Sequence, residues 1–174
     1  RMTTDIDAVV AGPGTPIPAL LDALARGRIE PRIDDVAAFA RRNLVLLLRH
    51  RPTGVDLDVS LGWSSFEQEA IGARAVASYG RVKAPMATAE DLMVFKAVAT
   101  RPKDIADLEA LLLLHPTVDL ARVRDRVGEL ALLADVPELS DGLEAAIAKA
   151  RSTAKRARRR RIAPPGASRR KKAR

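Results

Sequence analysis

Leu44-Val45-Leu46-Leu47-Leu48-Arg49-His50-Arg51-Pro52-Thr53-Gly54-Val55-Asp56-Leu57-Asp58-Val59-Ser60-Leu61 is the stretch on which the fold turns. An apolar run over 44–49 and an alternating run over 54–61 flank four polar or turn-forming residues, 50–53. That spacing predicts a β-hairpin. Within the second run the order is apolar, acidic, apolar, acidic, apolar. In a strand, side chains two apart share a face, so Val55, Leu57 and Val59 turn to a core while Asp56 and Asp58 project together on the other side.

A second stretch repeats the device. Residues 6–10 read as a strand closed by Gly12-Pro13-Gly14, and Asp5 and Asp7 flank Ile6 on its opposite face. A lone D-x-D is more often a polar strand end facing water than a site. Two of them on neighbouring strands would gather up to four carboxylates, and like charges so placed repel unless a cation lies among them. Mg²⁺ (or Mn²⁺) is the hard ion suited to such oxygen donors, and its chemistry would be phosphoryl or nucleotidyl transfer.

Outward from these strands the chain reads as alternating elements, then helices. Helices are predicted over 16–26 and 34–42, and Ser64-Ser65-Phe66-Glu67 opens another as a capping box running to about residue 76. A strand follows over 81–84. Thr88-Ala89-Glu90-Asp91 starts a run of helices over 90–99, 103–114, 120–134 and 139–150, with Pro102, Pro116 and Pro137 near the breaks. Strands among helices first and helices alone afterwards imply an α/β (α+β) fold, a small mixed sheet with a C-terminal helical annex from about residue 90.

The chain of 174 residues carries a net charge of +8, unevenly spread. Residues 151–174 hold twelve Lys and Arg and no acid, which leaves 18 basic against 22 acidic side chains in the first 150. The expected organisation is one domain over 1–150 and a disordered basic tail over 151–174. Such a tail is either an RNA-binding arm acting through counterion release or a solubilising extension. There is no cysteine, which removes disulfides and thiolate chemistry and suits the cytoplasm. The longest apolar runs, 44–48 and 110–114, are far shorter than a membrane span. With aromatic residues at 3%, a base-stacking platform is not expected, and Trp63 is read as a packing residue. His50 and His115 stand isolated.

Thr3-Thr4-Asp5-Ile6-Asp7, Val55-Asp56-Leu57-Asp58-Val59 and Phe66-Glu67-Gln68-Glu69-Ala70-Ile71 resemble, in order and spacing, the minimal nucleotidyltransferases related to AbiEii-type toxins. So do Glu90-Asp91-Leu92-Met93-Val94-Phe95-Lys96 and Arg101-Pro102-Lys103-Asp104-Ile105-Ala106-Asp107-Leu108, and the resemblance covers roughly residues 1–135. It implies a polymerase-β-like nucleotidyltransferase fold. Asp5 and Asp7 would be paired metal ligands, with Asp56 as third carboxylate and Asp58 sharing its face. Lys96 would contact the phosphates of a nucleoside triphosphate, with Asp104 orienting it. The implied reaction moves a nucleoside monophosphate to an acceptor, RNA or a tRNA end, in a toxin with an antitoxin partner. The alternatives are a small-molecule modifier of the antibiotic-modifying kind and a non-catalytic nucleic-acid-binding relative. The family carries a Gly-Gly or Gly-Ser phosphate cradle about ten residues before the first aspartate. This sequence opens at Arg1, four residues before Asp5, so it is expected to be N-terminally incomplete, leaving an apolar groove beside Ile6, Ala8 and Val10.

Overall fold

Alternation does what the pattern predicts for Leu57 and Val59: they turn inward in β4 (Val55–Leu61) and meet Leu48 and Leu46 of β3 (Val45–His50) across an antiparallel hairpin, while Val55 pairs with His50 beside the turn. The computed structural model describes residues 5–10, 14 and 16–162. These form a mixed α/β protein that divides into two compact units, Arg1–Ala87 and Thr88–Arg174. The division falls next to the expected start of the helical annex, and it makes two cores where a single domain over 1–150 is expected.

The first unit is built on a four-stranded mixed sheet of order β1-β4-β3-β2. β1 (Asp5–Val10) runs parallel to β4, whereas β2 (Ile29–Pro31), β3 and β4 are antiparallel neighbours. The segment β2 is not predicted from the sequence; three residues ending in proline give no periodicity, and it forms because the edge of β3 offers a ladder. One face of the sheet carries Ala8, Val10, Ile29, Leu46, Leu48, Leu57, Val59 and Leu61. It is covered by α1 (Ile17–Arg26) through Ile17, Leu20, Leu21 and Leu24 and by α2 (Val36–Asn43) through Val36, Ala37 and Ala40. Ala8 and Val10 pack into this core, so the groove expected beside β1 reduces to Ile6, which is 55% exposed.

The capping box forms as read. Ser64 Oγ accepts from the Glu67 N–H at 3.2 Å, and Glu67 accepts in return from the Ser64 N–H at 3.0 Å, starting α3 (Ser65–Ala73). That helix is shorter than predicted. Arg74 leaves helical geometry, and the chain enters a hairpin of β5 (Ala75–Tyr79) and β6 (Val82–Met86). Its two-residue loop places Gly80 at φ 59°, the positive value a tight hairpin turn demands. Short apolar runs do not distinguish a helix end from a strand, which is why β5 is misread.

The second unit contains α4 (Ala89–Ala99), α5 (Pro102–Leu114), α6 (Leu120–Ala134) and α7 (Glu138–Ile162). They pack around Met93, Val94, Ala97, Leu108, Val123, Val127, Ala131, Leu143 and Ile147. Each starts near the predicted residue because Thr88 and Asp119 cap it or a proline opens it. The helix α7 corrects the reading of residues 151–174 as disordered throughout. It runs twelve residues past the predicted end at 150, since Ala, Arg and Lys are strong helix formers. From Arg151 to Arg159 every side chain is exposed. Residues 163–174 lie outside the described ones. Among the described residues no helix is long and apolar enough to cross a membrane.

Candidate carboxylate and arginine face

Parallel pairing of β1 with β4 decides where the four sequence-predicted aspartates meet. The register sets Asp5 opposite Asp56 and Asp7 opposite Asp58. Register partners share a face, so all four project from the side of the sheet opposite the core. They span one strand spacing, about 4.8 Å, by one two-residue repeat, about 6.6 Å.

The neighbouring strands answer with arginine. Arg49 of β3 is the register partner of Asp56 and grips it with both ends of its fork: Nε donates to Oδ1 at 2.6 Å and Nη2 to Oδ2 at 3.3 Å. Arg32, just beyond β2, donates from Nη1 to Asp56 Oδ2 at 3.1 Å and from Nη2 to Asp58 Oδ1. Asp56 thus accepts from two guanidinium groups and Asp58 from one. The hydrogen bond from Arg49, joined by the charges of Arg49 and Arg32, outweighs partial desolvation and holds the Asp56 carboxyl below its usual range.

Neither arginine is singled out in the sequence reading. Arg49 had a signal, because the hairpin 44–61 with its loop at 50–53 brings the end of one strand beside Asp56. Arg32 had none, since β2 was not read as a strand.

Among the described residues no group of three His, Asp or Glu side chains is gathered closely enough to hold a metal as it stands. The donor set fits a hard divalent cation in kind, four carboxylates on one face of two adjoining strands. Two of those carboxylates are turned to arginine.

Lys96 and Asp104, expected to serve a nucleotide, belong to the second unit and bind each other. Lys96 Nζ reaches Asp104 Oδ1 at 2.8 Å and Asp107 Oδ2 at 3.1 Å, pinning α4 to α5. Asp104 is fully buried and also accepts from Arg101 Nε. Burial pushes the Asp104 carboxyl up, but hydrogen bonds from Lys96 and Arg101 prevail and hold it below the ordinary range. Burial likewise pulls the Lys96 ammonium down, and its two carboxylate partners more than restore it. A second buried carboxylate, Asp91, ties α4 to α6 through Arg122 Nη2 at 3.0 Å.

The isolated residues do little. His50 Nδ1 lies 2.8 Å from Thr53 Oγ1 within the β3–β4 turn. Trp63 is 66% exposed, contrary to its reading as a packing residue, because the capping box at Ser64 uses its backbone and leaves the indole outside. No protein-family model matches this chain, and no curated protein does so either.

Proposed function

We propose that this protein is a metal-dependent nucleotidyltransferase of the polymerase-β-like kind, moving a nucleoside monophosphate from a nucleoside triphosphate to an acceptor. One observation carries the reading: Asp5 with Asp56 and Asp7 with Asp58 are register partners on the solvent face of a parallel strand pair. Carboxylates directly opposite one another on neighbouring strands destabilise the pair unless positive charge lies among them. Asp5, Asp7 and Asp56, with Asp58 beside it, are the residues that would hold Mg²⁺ or Mn²⁺. When bound, such an ion neutralises the triphosphate and its pyrophosphate leaving group and activates the attacking oxygen. The chain's own part is positioning, with the core face anchoring β1 and β4 so that the carboxylates stay aligned.

The acceptor we propose is RNA, in keeping with a toxin of a toxin–antitoxin pair. The helix α7 supports this by carrying Arg151, Lys155, Arg156, Arg158 and Arg159 beyond its last buried residue, Ala150. Those cations suit a phosphate backbone. The second reading, a non-catalytic nucleic-acid-binding relative, is favoured by the arginines that already neutralise Asp56.

The test is transfer of label from α-labelled nucleoside triphosphates to total tRNA with Mg²⁺ or Mn²⁺. It is run on residues 1–174 with each of the four triphosphates. Asp7→Asn should lower transfer at least about 100-fold, the scale of one lost electrostatic contact to a reacting phosphate. Transfer untouched by that substitution would remove the site, and no transfer from any triphosphate would favour the binding module.

A further inference from the structure

The β5–β6 hairpin has the side-chain pattern of a half-buried ribbon, yet among the described residues its apolar face stands open. It is a two-stranded sheet of its own, with Ala75 opposite Met86, Ala77 opposite Ala84 and Tyr79 opposite Val82. Register partners share a face and successive residues alternate, so these six side chains line one side. Ser78 opposite Lys83 and Val76 opposite Pro85 line the other. The six-residue face carries no charge and a single side-chain polar atom, the Tyr79 hydroxyl. Tyr79 is 90% exposed, Val82 64% and Met86 54%, and Ala75 and Ala77 are exposed as well. Val76 on the far side is 67% exposed, so both sides of the ribbon are open to approach. A lone two-stranded ribbon is marginal in water and needs a further layer against its apolar face.

We infer that this face is a dimerisation surface, covered by the same face of a second copy of the chain packed about a two-fold axis. A two-fold contact sets a surface against itself, which suits a face without charge and penalises one that carries it. Both cations of the hairpin are kept off the face, Lys83 on the opposite side and Arg81 in the loop. Area points the same way. Tyr79 alone offers on the order of 200 Å², the usual contribution of an aromatic ring to a contact. With Val82, Met86 and the alanines the face amounts to roughly 500 Å² a copy, so about 1,000 Å² in a pair, the lower bound of a specific interface. Two ribbons stacked in this way form a four-stranded sandwich, and each supplies the layer the other lacks. The dimer is weak, with a dissociation constant in the micromolar range, because so small an area leaves little beyond the cost of association. Such a contact is independent of what the aspartate face does.

The experiment is sedimentation equilibrium of the 174-residue chain over a wide concentration range, at high salt so that no nucleic acid bridges the basic segments. The wild type should pass from monomer to dimer in the micromolar range. Ala77→Lys, at the middle of the face, should weaken the dimer at least about 100-fold, the scale of like charges set against each other. Tyr79→Ser should weaken it about tenfold or more, as for a lost aromatic anchor. Ser78→Lys puts the same charge on the same strand but on the far side, and should leave the dimer as it is, which separates a lost contact from a lost hairpin. An equimolar mixture of Ala77→Lys and Ala77→Glu should associate again. A dimer that ignores Ala77→Lys, or that Ser78→Lys breaks equally, would overturn the assignment of this face. A wild type still monomeric at millimolar concentration would overturn the second copy. Hydroxyl-radical oxidation of Tyr79 and Met86 would then assign the cover: protection in the monomer to another segment of the same chain, free oxidation to a different protein.

Discussion

Asp104 shows what one buried carboxylate does in the second unit. Its side chain is wholly inside, and its charge is balanced by Lys96 and Arg101. Because its folded pKa lies below the ordinary value of about 4, its stabilisation is present above that value. It is lost as pH falls through the lowered one. Lys96 is held above its ordinary value of about 10.4, so its share is present below that and fades only as pH rises beyond it. The pair therefore stabilises the helices across the neutral range. Asp104→Ala should cost about 1–3 kcal/mol at pH 7, since it leaves Lys96 with Asp107 alone and empties a buried position. Asp104→Asn should shrink the drop in urea midpoint between pH 7 and pH 3. A full-sized drop in that variant would assign the acid sensitivity to the other depressed carboxylates, Asp56 and Glu144.

At the scale of elements, the β1–β4 ladder governs the carboxylate face, and Gly62 guards its end. The Gly62 N–H donates to the Val10 carbonyl at 3.0 Å, and a Cβ at Gly62 would stand 3.1 Å from that same oxygen and 3.2 Å from Val9 Cγ1. The oxygen is backbone and cannot swing aside. Gly62→Ala should push β1 from β4 at a cost of about 1–2 kcal/mol, within the range for overpacking. Faster amide exchange over residues 8–10 and 59–61 than over β3 would check it, and unchanged exchange would show that the strand end has room. Much of this element was legible in the sequence. Alternation fixed which residues of β4 face inward, and Ser64 with Glu67 marked the start of α3. The edge strand β2 and the hairpin β5–β6 were not legible, because three residues and two short apolar runs carry no period of their own.

At the scale of the molecule, two cores share one chain, and the side chains described beyond Ala150, those of 151–159, lie outside both. Deleting 151–174 should shift Tm by no more than about 2 °C, as expected when only surface is removed. The same deletion should weaken RNA binding and lower the salt slope by about 0.7 for each phosphate the arm neutralises. An unchanged slope would leave the basic segment without a part in binding, whereas a large fall in Tm would mean the end of α7 supports the bundle.

By itself the sequence determined the strands 6–10, 44–49 and 54–61, the caps, the helical second half and the pairing of aspartates two by two. Those are local properties, set by side-chain period and by hydrogen bonds within a few residues. Only the tertiary structure decided that β1 lies parallel to β4 in a register matching Asp5 to Asp56 and Asp7 to Asp58. It alone brought Arg32 and Arg49 to them and committed Lys96 to Asp104. Register between strands nearly fifty residues apart follows from which faces bury together against α1 and α2, a condition no window of neighbouring residues contains.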